Sequence, residues 1–242
     1  MLNLIKVEFL KLRRRSLIWL MMLAAIFMPA LGVFYYNGGV SVTGSMQFYK
    51  WSAFSYTQWI ILPAVLGIFI TMLMYYENQN DMLKQLWIVP VNKLKFLISK
   101  FAIVIFYSVC FMLVVAIASV FLGTFVNGVD IDLHNIGFLF LKCLEIGVLT
   151  AFAMLPILAI AAAQKGYIFP ICVVLLYTFL GFILLMVNMY LHPLSSMSAI
   201  VSHDIPGVSL PQEPKILLAS ICIFLWGIVS LVLANVVLRN RK

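Results

Sequence analysis

The chain has 242 residues, of which 64% are hydrophobic and only 10% are charged. Soluble proteins average roughly half apolar and about 25% charged residues, so too little polar sequence is present to cover a soluble fold. The formal net charge is +8, but the basic residues stand in short groups at the ends of apolar runs, where they meet lipid headgroups. The composition predicts a polytopic membrane protein with one domain, residues 1–242, and argues against nucleic acid as a partner.

The first 15 residues have an apolar side and a cationic side. Ile5, Phe9 and Leu12 fall on one helical face, and five Lys and Arg residues supply the other. This pattern is typical of a helix that lies in the membrane interface. A signal peptide has a similar start, but the apolar run continues to about residue 36 without a small-x-small cleavage pattern, so a retained anchor is favoured.

Six apolar runs are long enough to cross a membrane, because roughly 20 helical residues span a hydrocarbon core of ~30 Å. Backbone groups in hydrocarbon must be satisfied within the segment, so each run is predicted to be helical. The runs are Leu17–Tyr36, Ala53–Tyr76, Phe101–Val126, Ile136–Ala163, Tyr167–Leu191 and Ile216–Val237. No internal repeat is clear enough to support an inverted-repeat transporter fold. The predicted fold is all-α, with an N-terminal interfacial helix and six transmembrane helices.

The distribution of Lys and Arg predicts the orientation. Of the 16 such residues, 13 lie at the N-terminus, between the second and third runs, after the fourth run and at the C-terminus. Two, Lys50 and Lys215, lie on the opposite side, and Lys142 lies within a run. Since positive residues are retained inside the cell, both termini are predicted to be cytoplasmic. Within the longest outer loop, residues 194–201 are too short to cross and favour a re-entrant or interfacial element.

The sequence contains no recognisable catalytic or metal-binding motif. It lacks GxxxxGK[ST], HExxH and GxSxG, so no site for ATP hydrolysis, zinc or a serine nucleophile is indicated. The four cysteines lie inside apolar runs without a CxxC pair, and the three histidines are far apart in the outer loops. We therefore predict no catalytic residue, no bound metal and no cofactor on this chain; energy-dependent work requires an ATPase on another chain.

Two charged residues and one proline within the runs are candidates for function. Lys142 and Glu145 are three residues apart, so they share a helix face and can pair. Charges within spans are costly and are candidates for a substrate or proton role, although structural pairing is the alternative. Pro156 interrupts the fourth run and is a hinge candidate, although proline kinks are also ordinary in membrane helices.

The longest polar interruption is Glu77–Lys100, which forms two short amphipathic segments around Pro90. The opening LNLIKVEFLKLRRR, the block YYENQNDMLKQLWIVPVNKLKFLISKF and the basic tail LRNRK together resemble the permease subunits of type-2 ABC exporters. Within that family the chain is most similar to the bacitracin-resistance and lantibiotic-immunity permeases. An ordinary connecting loop is the alternative interpretation of this segment.

The resemblance implies a pair of permeases, identical or homologous, bound to two copies of a separate ATPase that carries ATP and Mg²⁺. It also implies a coupling segment, about residues 80–97, that sits in a groove of the ATPase. The expected coupling residues are Asp81, Met82, Leu83, Leu86, Trp87, Pro90, Lys93 and Lys95. The transport path of the family lies between the two permeases along their second and fifth spans, and Asn188 is the polar candidate there.

The leading functional hypothesis is an export permease in the bacterial plasma membrane. Its expected substrate is a peptide antibiotic or another amphiphile that the outer loops meet first, and its expected surroundings are membrane lipids. The alternative hypothesis is a membrane module that binds or senses peptide or lipid without transport. A lipid-modifying enzyme is a third hypothesis, weakened by the lack of a clustered acid–base or nucleophile set.

Overall fold

The computed structural model describes residues 2–13, 15–37, 44–79, 93–208 and 213–240. Within these residues every regular element is a helix and no strand occurs. The helices are α1 (Leu2–Arg13), α2 (Ser16–Met22), α3 (Ala24–Asn37), α4 (Ser45–Tyr49), two π-helical turns (Lys50–Phe54 and Thr57–Ile61), α5 (Leu62–Gln79), α6 (Lys93–Asn127), α7 (Leu133–Ala153), α8 (Leu155–Ala163), α9 (Ile168–Val187), α10 (Pro193–His203) and α11 (Ile216–Asn240).

Six helical segments of the described residues are long and apolar enough to cross a membrane, which confirms the predicted all-α fold. We call them spans 1 to 6: Ser16–Tyr36, Ser45–Asn78, Lys93–Asn127, Leu133–Ala163, Ile168–Val187 and Ile216–Leu238. Large apolar side chains are exposed along the outer faces of spans 1, 5 and 6. In a soluble protein such surface would be a liability, whereas in a bilayer it is the surface that meets lipid.

Two spans begin well before the apolar runs that predicted them. Span 3 begins at Lys93 rather than Phe101, and span 2 begins at Ser45 rather than Ala53. Residues 93–100 contain no Gly or Pro, so a helix that forms in the bilayer continues beyond it. In the first half of span 2 the backbone passes through the two π-helical turns, which Ser55 and Tyr56 separate. The Ser55 hydroxyl donates to the Lys50 carbonyl at 2.7 Å. Hydropathy locates the hydrocarbon core and not the ends of the helices.

Span 4 is the most buried of the six and stands at the centre of the bundle. Its helix breaks at Met154, which has φ −90° and ψ 4° and separates α7 from α8. Pro156, in the first turn of α8, has no N–H to continue the hydrogen bonding of α7. A side chain of span 5 supplies a hydrogen-bond donor at this break: the Tyr177 hydroxyl donates to the Ala153 carbonyl at 2.6 Å.

Removing that hydroxyl is expected to destabilise the protein. Tyr177→Phe leaves the buried Ala153 carbonyl without its donor, and an unsatisfied buried group costs about 1–3 kcal/mol. Tyr167→Phe is the matched control, because Tyr167 is exposed and its ring contact with Tyr75 needs no hydroxyl. Thermal unfolding of both variants in detergent tests this. Equal melting temperatures for the two variants would show that the Tyr177 hydroxyl contributes nothing.

The stretch between spans 5 and 6, where a re-entrant or interfacial element is predicted, contains the short helix α10, which is buried against the bundle. The hydroxyl groups of its serines donate hydrogen bonds to nearby backbone carbonyls. Ser195 and Ser196 both donate to the carbonyl of Met189, at 3.1 and 2.8 Å. At its N-terminus the Nδ1 atom of His192 accepts from the Leu194 N–H at 3.3 Å. The centres of the His192 and Tyr177 rings are 4.2 Å apart. Burial lowers the pKa of His192 from 6.5 to about 4.

The buried His192 predicts a loss of stability in mild acid. The folded state keeps the imidazole neutral down to about pH 4, whereas the unfolded chain takes up a proton near pH 6.5. Stability is therefore complete above pH 6.5 and falls as the pH drops towards 4. His192→Asn keeps a capping acceptor but does not titrate. Melting temperatures measured from pH 7 to 4 are expected to fall less for the variant, and parallel curves would contradict this.

Glycines bring two pairs of spans into close contact. The Ser108 hydroxyl of span 3 donates to the Gly147 carbonyl of span 4 at 2.7 Å, and a Cβ on Gly147 would meet the backbone of Val109 at 3.1 Å. A Cβ on Gly67 of span 2 would lie only 2.3 Å from a methyl carbon of Val174 of span 5. Small residues let membrane helices approach closely, and here they fix spans 3–4 and 2–5.

Candidate functional site

Hydrogen bonds between the ends of helices show which of these ends lie at the same end of the bundle. The Asn78 side-chain amide donates to the Gln164 carbonyl at 2.8 Å. The Lys93 ammonium donates to the Leu238 carbonyl at 2.7 Å. Glu77 near the end of span 2 pairs with Lys100 of span 3, so the ends of spans 2, 4 and 6 and the start of span 3 lie at one end of the bundle, which we call the basic end. Orientation in the membrane stays a prediction, but the sequence groups the same ends together.

Four charged side chains meet at the basic end and form the principal polar site among the described residues. They are Glu8 and Lys11 of α1, Glu77 at the end of span 2 and Lys100 in span 3. Lys100 Nζ lies 2.7 Å from Glu77 Oε1 and also contacts Glu8. Lys11 Nζ lies 2.7 Å from the same Glu77 oxygen and 3.0 Å from Glu8 Oε1. We call this group the charge cluster.

The charge cluster is balanced and mostly buried. Lys100 is 1% exposed, Glu77 3% and Glu8 5%, whereas the Lys11 side chain is 37% exposed. Two carboxylates and two ammonium groups leave no net charge, which is the condition under which ions can be buried at tolerable cost. Burial lowers the pKa of Lys11, but the hydrogen bonds and charges of Glu77 and Glu8 outweigh it, so the net pKa is raised above 10.5.

The cluster joins three parts of the chain that the sequence keeps apart. Lys100 and Glu8 are 92 residues apart, and Lys11 and Glu77 are 66 apart. Breaking a buried pair on one side leaves an uncompensated charge, which is strongly destabilising. Helix α1 is therefore held to the end of span 2 and to span 3, the two spans on either side of residues 80–92.

Sequence reasoning identified Glu77 and Lys100 as the limits of a polar stretch but missed their partners. The available signal was Glu8. It is the one acidic residue among the first 15, and it lies four residues before Leu12, on the apolar face of α1. An acid on a face that is to be buried requires a cationic partner. The position of Glu8 indicated a buried ion pair, but it did not indicate which lysine would be the partner.

An arginine closes the cluster on the side of span 1. The Arg15 guanidinium carbon lies 3.8 Å from the centre of the Tyr76 ring, a cation–π contact. Arg15 and Tyr76 line a cavity of about 90 Å³ together with members of the charge cluster. Oε2 of Glu77 is buried without a hydrogen-bond partner in the described part of the chain. A cavity of this size admits water.

The predicted coupling residues fall on both sides of the boundary of the described chain. Asp81, Met82, Leu83, Leu86, Trp87 and Pro90 lie outside the described residues. Lys93 is the first residue of α6 and contacts the end of span 6, where a cation also meets the favourable C-terminal end of a helix dipole. Lys95 is exposed on the same turn. The coupling role of all eight residues stays a prediction.

A second charged group lies at the opposite end of the bundle. Lys142 Nζ lies 2.6 Å from Glu145 Oε2 and 2.7 Å from Asp204 Oδ2. Asp204 follows α10 and also contacts the His203 ring at 2.8 Å. Hydrogen bonds from Lys142 and His203 lower the pKa of Asp204 below 3.8. These contacts link span 4 to α10, and the Lys50 ammonium adds a contact to the Gly207 carbonyl at 2.8 Å.

The remaining candidates lie apart from both charged groups. Asn188 follows span 5 rather than lying within it, since α9 ends at Val187, and its side-chain oxygen accepts from the Tyr190 N–H at 3.0 Å. Pro156 lies at the break in span 4, so a hinge role stays a prediction. Within the described ranges no three His, Cys, Asp or Glu side chains are grouped as a metal site would need.

Comparison with protein families places the chain. The family model described as ABC-2 family transporter protein matches residues 4–181, from α1 into span 5. The matched region contains every member of the charge cluster and both Lys142 and Glu145. A comparison with curated proteins finds no match to the chain.

Proposed function

The chain belongs to the ABC-2 family of transporter proteins, and on that premise we propose that it exports an amphiphilic peptide antibiotic, driven at its basic end by an ABC ATPase. Membership makes it the membrane permease of an ABC transporter, a component that is not itself catalytic, and implies an ABC ATPase partner. We further propose that residues 1–242 form one permease domain, that the basic end is cytoplasmic and that a second permease completes the transporter.

The observation that carries the coupling proposal is the position of the charge cluster. Residues 80–92 leave span 2 three residues after Glu77 and enter span 3 eight residues before Lys100. A displacement of this stretch by an ATPase would act directly on both residues. Because buried ion pairs are costly to break one at a time, the displacement would move α1 and both spans together. The charge cluster would thus transmit a displacement of residues 80–92 to α1, span 2 and span 3.

The ATPase partner supplies the chemistry of energy release, and this chain supplies binding and movement. Lys95 is exposed at the basic end and is available for an acidic groove on a partner. At the other end, the Lys142, Glu145 and Asp204 contacts hold α10 against span 4, where they would resist opening of the outer side. A direct substrate or proton role for Lys142 and Glu145 is the competing proposal.

The peptide substrate rests on the sequence resemblance to bacitracin-resistance and lantibiotic-immunity permeases. Co-expression of the chain and its ATPase in a sensitive bacterium is expected to raise resistance to a lantibiotic or to bacitracin several-fold. Replacing the Walker-A lysine of the ATPase should abolish this gain. Unchanged sensitivity to both antibiotics in cells that contain the intact complex would reject the proposed substrate.

The same experiment separates export from sequestration. A module that only binds or senses peptide would protect cells to the same degree with an inactive ATPase. Co-purification of the chain with the ATPase supplies the second readout, since sequestration requires no such complex. Resistance that survives ATPase inactivation would therefore replace the export proposal with the binding one.

A further inference from the structure

An apolar cleft lies beside the charge cluster, against α1. It has a volume of about 680 Å³, within the roughly 300–1,000 Å³ typical of small-molecule sites. Its walls come from α1, span 1 and span 3, and they are almost entirely apolar. Leu12 and Ile18 line both this cleft and the small cavity at the charge cluster, so the two spaces lie on either side of the same two side chains.

Contacts of aromatic side chains join the walls of the cleft. The rings of Phe9 and Phe106 meet edge to face with centres 4.7 Å apart, which joins α1 to span 3. The Tyr107 hydroxyl donates to the Ile18 carbonyl at 3.2 Å, which joins span 3 to span 1. Trp19 is 60% exposed along the rim. The separation of α1 from span 1 is therefore fixed by specific contacts.

The cleft extends from the neighbourhood of the charge cluster along span 3 towards the middle of that helix. Cys110, at its inner end, lies ten residues beyond Lys100 on span 3, which is ~15 Å along a helix. Lys6 lines the cleft from α1 and is exposed. No carboxylate of the described residues pairs with Lys6, whereas Lys11 and Lys100 are neutralised within the charge cluster.

We propose that this cleft is a binding site for one acyl chain of an anionic phospholipid, whose phosphate is held by Lys6. An extended apolar chain matches walls that are almost entirely apolar, and burial of its methylenes supplies the attraction. An unpaired ammonium at headgroup level selects a negative head over a zwitterionic one. The occupant is a lipid of the leaflet at the basic end. Such lipid binding depends neither on the substrate nor on the direction of transport.

Quenching of Trp19 fluorescence by brominated lipids tests the proposal. The full-length protein is placed in phosphatidylcholine nanodiscs that contain increasing fractions of dibromo-phosphatidylglycerol or dibromo-phosphatidylcholine. The contribution of Trp19 is the difference between the wild type and Trp19→Phe. Half-maximal quenching is expected at a several-fold lower fraction of the brominated phosphatidylglycerol.

Two lysine variants separate a specific site from general surface charge. Lys6→Gln is expected to make the two lipids equally effective quenchers. Lys165→Gln removes an exposed charge from the turn between spans 4 and 5, at the same end of the bundle, and should preserve the several-fold preference. Equal quenching by both lipids in the wild type would overturn the proposal, and so would a preference that survives Lys6→Gln or disappears with Lys165→Gln.

Discussion

Replacing Lys100 with methionine is expected to destabilise the protein by about 3–5 kcal/mol, the usual cost of breaking a buried ion pair on one side. The substitution preserves side-chain length but leaves Glu8 and Glu77 buried with only the half-exposed Lys11 between them. Lys11→Met is the matched control and should cost less, because each carboxylate keeps Lys100. Unfolding of the purified protein in mixed micelles measures both.

The origin of the loss can be separated from the size of the side chain. In the combination Glu8→Gln, Glu77→Gln and Lys100→Met the buried charges disappear together, so most of the lost stability should return. A triple variant as unstable as Lys100→Met alone would show that packing, and not charge, is responsible. The same variant tests coupling, because a stable but charge-free cluster is expected to reduce ATP-driven transport.

Replacing Gly67 with valine is expected to separate spans 2 and 5 and to cost about 3 kcal/mol, the upper part of the usual range for overpacking. The added Cβ would lie 2.3 and 2.6 Å from the two methyl carbons of Val174 and 3.0 Å from its Cβ. Valine has little rotamer freedom in a helix, so the clash is relieved only by moving a helix. Transport should fall as well, since the family resemblance places the path along these two spans.

A second-site change and a control make this prediction specific. Val174→Ala removes the two methyl carbons that meet the new side chain, so it should restore much of the stability of Gly67→Val. Gly137→Val is the control: Gly137 lies in the first turns of α7, where an added Cβ would meet no atom within 4 Å, so the melting temperature should stay nearly unchanged. If Val174→Ala fails to improve Gly67→Val, the contact between spans 2 and 5 is not the cause.

Local sequence patterns predicted the spans, but they did not predict ion pairs between residues far apart in the sequence. Hydropathy located six spans because each satisfies its own backbone within ~20 residues. The spacing of Lys142 and Glu145 places them on one helix face, but Asp204, 62 residues away, gives no such signal. Pro156 pointed to a break in span 4, and the structure places it at Met154.

The charge cluster shows the same limit. Its members come from α1 and the ends of two spans, so no periodicity or motif links them. Only the position of Glu8 on an apolar face indicated that a buried partner was needed. The start of span 3 at Lys93 was also not predicted. Hydropathy identifies the apolar residues that lie in the bilayer, and it does not identify helical residues beyond them.

The central claim, that an ATPase drives this permease from its basic end, is tested most directly by photo-crosslinking in the intact complex. A photoreactive amino acid replaces either Lys95, exposed near the start of span 3, or Leu133, 83% exposed at the start of span 4 at the opposite end. A cross-link to the ATPase is expected from position 95 and none from position 133. A cross-link from position 133, or none from position 95 in a complex that hydrolyses ATP, would contradict it.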